Sequence, residues 1–310
     1  MTGQLGTPDE ASETVIDLRD RSHFANDVWA SEWRDDNYLA GAIDGLRREH
    51  NEPAQPFGVY FIDGSDPRSS LGRSVEQERF GDEYGNDITV LRSLYGEFEV
   101  DRATELIVVV DHVERRPAGV IRTIRNTAER GCRMLNDLQM TGENGWGLSW
   151  DEITARSSFA ANKPESITEI ATIAVAKRYQ GARSAGGVSK ALYAALLQRA
   201  LGSQANTWVC LMERIPYLLV QAIGKDVMNE FDGVDSRPYH GAPDTIPVWA
   251  NFREYEAYLG RAHPDSHDLL VKSAGLLDQY YFGFPGGAPT WDPLDPDVID
   301  LRMYESVPHA

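Results

Sequence analysis

Two features of the sequence have residue types and spacing that could do chemistry. The first is Glu169, set in the apolar run Ile167-Thr168-Glu169-Ile170-Ala171-Thr172-Ile173-Ala174-Val175. A carboxylate among apolar neighbours is costly unless it has a partner or a purpose. Such surroundings raise its pKa toward neutrality, where a glutamate can take a proton from an ammonium acceptor. The same residues also fit a strand-end glutamate paired with an arginine. The second feature is the glycine-rich turn from Gly181 to Gly187, including Gly186 and ringed by Lys177, Arg178, Arg183 and Lys190. A helix starting after such a turn offers unpaired N–H groups and the positive end of its dipole to an anion, and glycine lets the backbone come close. On its residues alone the turn fits both an anion cradle and a plain link from strand to helix.

Known phosphate motifs narrow the choice. Gly181 and Gly186 have the spacing of a Walker loop, but Gly187 stands where the lysine belongs, so the charge that meets the terminal phosphates is missing. The dinucleotide-binding glycine pattern does not fit either. Gly187-Val188-Ser189-Lys190-Ala191 comes near a nucleophile elbow, yet its last glycine is alanine and no histidine follows until His240. His263 and His267 have the spacing of helical metal ligands, but Pro264 and Asp265 read as a turn and no third ligand is in view, so no metal is expected.

The elements that must position these residues are legible from Leu106 onward. Leu106-Ile107-Val108-Val109-Val110 and the stretch from Gly119 to Arg125 read as two strands of an antiparallel hairpin. The run holding Glu169 is apolar on both faces, which places it at the centre of a sheet. With strict alternation Glu169 shares a face with Ile167, Ala171, Ile173 and Val175. A helix from about Val188 to Leu201, a strand from Thr207 to Met212 and a short helix over residues 215–224 follow. A further element is expected around Val248–Leu259. The expected organisation is a disordered tail (1–14), an N-terminal helical extension (15–70), a central α+β domain (71–259) and a C-terminal extension packed on that domain (260–310).

Several segments resemble the GNAT superfamily of N-acyltransferases. Arg178-Tyr179-Gln180-Gly181 is similar to the first half of its pyrophosphate loop, although the distance to Gly187 exceeds the family's usual spacing. Glu169-Ile170-Ala171-Thr172-Ile173-Ala174-Val175 is similar to the strand that carries the general base of histone-type members. Gly119-Val120-Ile121-Arg122, Met134-Leu135-Asn136-Asp137-Leu138 and Met212-Glu213-Arg214 resemble, in order, segments of the acyl-homoserine-lactone synthase and N-acyl amino acid synthase branch. Arg73-Ser74-Val75-Glu76-Gln77-Glu78-Arg79-Phe80 resembles the mobile region that closes over the acyl chain there. The lactone synthases' tryptophan and Ser-Arg pair around the glutamate are absent.

The resemblance implies a central, mixed, mostly antiparallel sheet flanked by helices and splayed between the Glu169 strand and the Thr207–Met212 strand. It implies attack by an amine on an acyl thioester, with Glu169 as general base. The co-substrate would be acyl-CoA or acyl-phosphopantetheine on an acyl carrier protein. Its pantetheine arm would lie near Ile173, Ala174 and Val175, and its phosphates near Arg178, Gln180, Gly181, Arg183, Gly186, Gly187, Val188 and Ser189. The tyrosine that protonates the leaving thiolate in this family falls on Val220, which leaves Tyr217 as the nearest substitute. Arg122 would meet an acceptor carboxylate, and Trp146 would wall the substrate.

Composition sets the outer bounds. The 310 residues carry 48 acidic against 30 basic side chains, a net charge of −18, which argues against nucleic acid as a partner. Cys132 and Cys210 lie far apart, with no metal-ligand spacing around either. The polar start of the chain has no apolar run for secretion, and no stretch reaches the roughly 18 apolar residues that span a bilayer, so the expected compartment is the cytoplasm. Three functions remain in view: acyl transfer to an amine of a small molecule, amino acid or peptide; acetyl transfer from acetyl-CoA; and a non-catalytic module that binds an acyl thioester.

Overall fold

The computed structural model describes residues 35–85, 88–155, 164–180, 187–203, 205–223 and 228–290. The expected tail, the start of the expected extension, and the site candidates Gly181, Arg183 and Gly186 lie outside the described residues.

Helix α1 (Asp36–Glu49) opens the described chain. The Asp35 carboxylate caps it by accepting from the Asn37 N–H at 2.8 Å. Then come β1 (Phe57–Asp63), α2 (Ser70–Glu76), α3 (Ile88–Val100), the hairpin of β2 (Thr104–Asp111) and β3 (Arg116–Arg125), α4 (Arg133–Gln139), α5 (Trp150–Ala155) and β4 (Ile167–Val175). The second half holds α6 (Gly187–Leu201), β5 (Thr207–Glu213), α7 (Arg214–Ile223), β6 (Asn229–Glu230), β7 (Arg237–Tyr239), β8 (Ala242–Asn251), α8 (Phe252–Ala262), α9 (Pro264–Lys272) and β9 (Tyr280–Gly283).

One sheet runs in the order β6-β8-β5-β4-β3-β2-β1-β9, with β7 paired to β8. Its described pairs are antiparallel except β4–β5 and β1–β9. Helices cover both faces of its centre, which is why β2, β3 and β4 carry apolar residues on both sides. The approach is close enough to need glycine on each face. A Cβ on Gly72 of α2 would lie 2.6 Å from Leu106 Cδ2, and one on Gly119 of β3 would lie 2.7 Å from Val188 Cγ1 of α6. This is the mixed, mostly antiparallel α+β sheet expected from the sequence, with Glu169 on a central strand.

Three expectations are corrected at the edges. Residues 57–63, assigned from sequence to a helical extension, form β1 inside the sheet; the segment Phe-Gly-Val-Tyr-Phe-Ile-Asp is flanked by β2 and β9, so most of it is buried. The expected element around Val248–Leu259 is two elements, the end of β8 and the start of α8. The Asn251 side chain marks the change by accepting from the N–H groups of Arg253 and Glu254. Pro264 and Asp265 begin α9 rather than a surface turn, because proline suits a first helical position. Among the described residues no helix is long and apolar enough to cross a membrane.

Candidate functional site

Strands β4 and β5 pair only at Ile167–Thr207, Thr168–Trp208 and Glu169–Val209, and beyond Glu169 they part. A bulge sets the geometry. The β3 register steps from Arg122 opposite Thr172 to Thr123 opposite Ile170, so Ala171 has no partner across the strand. The extra residue inverts the alternation beyond it: Glu169, opposite Ile124, shares its face with Thr172 and Ala174, while Ile173 and Val175 turn to the other face and Ala171 packs with Ile167 on the Glu169 side. The gap opens into a cavity of about 620 Å³. Glu169 and the stretch from Ile170 to Val175 line one wall, and the stretch from Cys210 to Glu213 lines the other. Arg79, Phe80 and Tyr84 close over it from a π turn (Gln77–Gly81) and the single turn after it. The Tyr84 hydroxyl donates to Glu213 at the end of β5, and the Lys177 N–H, just past β4, donates to Glu78 at 2.7 Å.

Glu169 is 3% exposed. Burial pushes its carboxyl up to about 7, while the Arg133 guanidinium and the Met134 N–H, which donates to Oε2 at 2.8 Å, hold it down against that rise. It therefore gains and loses its proton near neutrality, as a general base for an amine requires. Cys210, across the gap, is the opposite case: burial raises its thiol far above the ordinary range, so it stays protonated.

A polar group that the sequence did not single out stands beside Glu169. Arg133, at the first position of α4, lies between the rings of Tyr95 and Tyr239, 5.3 and 5.4 Å from their centres. Tyr239 and His240 come from the β7–β8 turn and, with Tyr95 and Arg133, line the cavity. His240 has φ 44°, a left-handed conformation that costs energy for a histidine. Burial and the nearby Arg133 hold its ring down to about 4, so it is neutral at physiological pH. A sequence signal existed for Arg133: it directly precedes the Met134–Leu138 segment and stands at helical i,i+4 spacing from Asp137, with which it pairs.

The expected donor residues divide. Ile173, Ala174, Val175, Gln180 and Ser189 line the cavity, and the Gln180 side chain donates to the Val175 carbonyl at 2.8 Å. Gly187 begins α6, where a Cβ would meet the Tyr280 hydroxyl at 2.7 Å. Val188 is buried beside Gly119 rather than facing the cavity. Arg178 is exposed and paired with Glu114 at 3.3 Å, and Lys177 pairs with Asp82 at 2.6 Å.

Three expected site residues stand elsewhere. Arg122 is fully buried and held by two carboxylates. It donates to Glu76 at 2.9 and 2.6 Å and to Glu99, and Arg73 donates to Glu99 at 2.9 Å. It is spent inside the protein and does not reach an acceptor. The Tyr217 hydroxyl, pushed up to about 12 by burial and by its bond to Glu230, also accepts from Gln221 at 2.9 Å. The cavity wall on α7 is formed instead by Pro216 and Val220. Trp146 donates from its ring to the Asp235 carbonyl at 3.0 Å and lies behind Tyr239, outside the lining.

No protein-family model matches the sequence, and no curated protein matches it. Among solved structures the chain is similar to FeeM, an N-acyl amino acid synthase from uncultured soil microbes, with 14% identity, 67% of this chain and 97% of that chain covered, and a TM-score of 0.47. It is also similar to a CoA-dependent acyl-homoserine lactone synthase, BjaI, with SAM and isopentyl-CoA (13% identity, 75% and 95% covered, TM-score 0.43). A third is the spermidine N-acetyltransferase from Vibrio cholerae with CoA and spermine (12% identity, 64% and 98% covered, TM-score 0.38). The mixed, mostly antiparallel sheet and the parting of β4 and β5 beyond Glu169 are as the sequence led one to expect.

Proposed function

We propose that this chain is an N-acyltransferase that moves an acyl group from a CoA-type thioester to an amine of a small molecule, amino acid or peptide. The observation that carries the reading is Glu169, a buried carboxyl with a pKa of about 7 at the point where β4 and β5 part into the cavity. Among the described residues, the splay leaves backbone groups of β4 and β5 without a strand partner on the cavity side, and an amide-bearing pantetheine arm would pair with them. The first turn of α6, with Ser189 on the cavity wall, would face the phosphates.

In the transfer, Glu169 takes a proton from the acceptor ammonium and frees its lone pair. The amine nitrogen attacks the thioester carbonyl, the C–S bond breaks as the amide C–N bond is kept, and the leaving thiolate takes up the second proton that the nitrogen gives up. Cys210, held protonated by burial, favours direct attack over an acyl-cysteine intermediate. Pairing of Lys177 and Arg178 with Asp82 and Glu114 favours CoA over an acidic acyl carrier protein, since two of the cations that would dock a carrier are engaged.

Thermal shift with CoA, acetyl-CoA and a long-chain acyl-CoA tests the reading, because a ligand that binds the folded state raises its melting temperature. Stabilisation by CoA species that is lost in Ser189→Glu is the expected result. Failure of all three, and of an acyl carrier protein, to bind would overturn it. Release of free thiol that depends on an added amine then separates an enzyme from a binding module.

A further inference from the structure

The wall of the cavity holds a guanidinium whose binding capacity the described residues leave largely unused. Arg133 is 8% exposed. Among the described residues its polar side-chain contacts are Nη1 to the Tyr95 hydroxyl and Nη2 to Asp137 Oδ2, both at 3.4 Å, the long end for a hydrogen bond. Asp137 is itself committed, because the same Oδ2 accepts the Tyr239 hydroxyl. Glu169 takes its hydrogen bond from the Met134 backbone. The rings of Tyr95 and Tyr239 meanwhile fix the plane of the guanidinium, and both rings and Arg133 line the cavity.

A planar fork of donors held between two rings and turned to a cavity matches a planar oxyanion, above all a carboxylate, which takes two parallel N–H bonds. The base is close by: Glu169 accepts from the N–H of Met134, the next residue in the chain, and the Arg133 charge acts on its carboxyl. One ligand can thus place an amine at Glu169 and a carboxylate at Arg133 only if the two groups are separated by a short linker. We propose that Arg133 is the specificity-determining residue of the acceptor site and that it selects an amine bearing a nearby carboxylate, that is, an amino acid. This rests on the acyltransferase reading for the role of the amine, but the carboxylate subsite can be tested without acyl transfer.

The probe is a panel of α-amino acids, each compared with its own carboxamide, which keeps the amine and side chain and removes the anion. Calorimetric titration of the full chain reads binding, and amine-dependent thiol release from acyl-CoA reads transfer. The expected result is that the wild-type protein prefers at least one acid over its amide by on the order of 10- to 100-fold. Arg133→Gln removes that preference by raising KM for the acid alone, and Arg133→Lys, which keeps the charge and loses the fork, restores part of it. Equal use of acid and amide by the wild-type protein would overturn the proposal and leave acyl transfer standing. So would a variant that lowers kcat for both equally and moves the pH profile, since Arg133 would then be a counter-ion to Glu169. Arg133-dependent binding of an amino acid with no acyl transfer would support the subsite and count against the enzyme.

Discussion

Replacing Glu169 by glutamine tests the centre of the mechanism through two independent readouts. Burial raises the carboxyl from 4.5 to about 7, which corresponds to roughly 3 kcal/mol between its protonation states. The folded state holds the proton more tightly than the unfolded chain. The neutral carboxyl therefore stabilises the fold below its unfolded pKa, and this contribution is lost as pH rises through 7. Glutamine is neutral at every pH and loses nothing on that rise. The chain's pI is about 4.8, so the usable window starts above it. Of the roughly 3 kcal/mol, about 2 kcal/mol falls between about pH 5.5 and 8.5. Urea unfolding across that window should show Glu169→Gln gaining about 2 kcal/mol on the wild-type protein. The kinetic readout runs the other way. Wild-type kcat/KM should rise with pH through a midpoint near 7 and level off above it, and the variant should lose on the order of 10²–10⁴ of the rate. A stability difference that stays constant with pH would show that the carboxyl does not titrate in this range. A variant that still transfers acyl groups at the wild-type rate would show that Glu169 is not the base.

Two other substitutions probe the corrected residues. Arg122→Met leaves Glu76 and Glu99 buried without their shared cation, so it should cost about 3–5 kcal/mol in chemical denaturation; a loss close to zero would mean that the carboxylates find other partners or protons. Tyr217→Phe removes a hydroxyl bonded to Gln221 and Glu230 away from the cavity, so it should cost about 1 kcal/mol of stability and leave kcat unchanged, and a large fall in kcat would restore Tyr217 as the acid.

What could be read from the sequence follows the range of the forces involved. The β2–β3 hairpin, β4, α6 and β5 announce themselves by local periodicity and composition, and Glu169 stands out because a carboxylate in an apolar strand is an anomaly on its own terms. The β1 strand was hidden because its partners β2 and β9 lie far along the chain, and nothing local distinguishes a short apolar run in a strand from one in a helix. The bulge at Ala171 was equally invisible. It depends on how β3 and β4 register, and a single inserted residue inverts every face assignment beyond it.

Arginines were the hardest residues to place, and the reason is physical. A guanidinium takes its role from whichever carboxylates surround it, and those come from distant elements. Arg122 was read as a substrate ligand from its strand, but Glu76 on α2 and Glu99 on α3 claim it. Arg133 directly precedes the Met134–Leu138 segment, yet it lines the cavity and its charge acts on Glu169. The two are connected through one side chain. Tyr95 of α3 has the Arg122 guanidinium 4.5 Å from its ring centre and that of Arg133 at 5.3 Å. The buried pairs of Arg73 and Arg122 with Glu76 and Glu99 thus hold α2, α3 and β3 together and, through Tyr95, orient the guanidinium at the cavity. The charge that seemed suited to meet a substrate builds the wall, and the wall aims the charge that can.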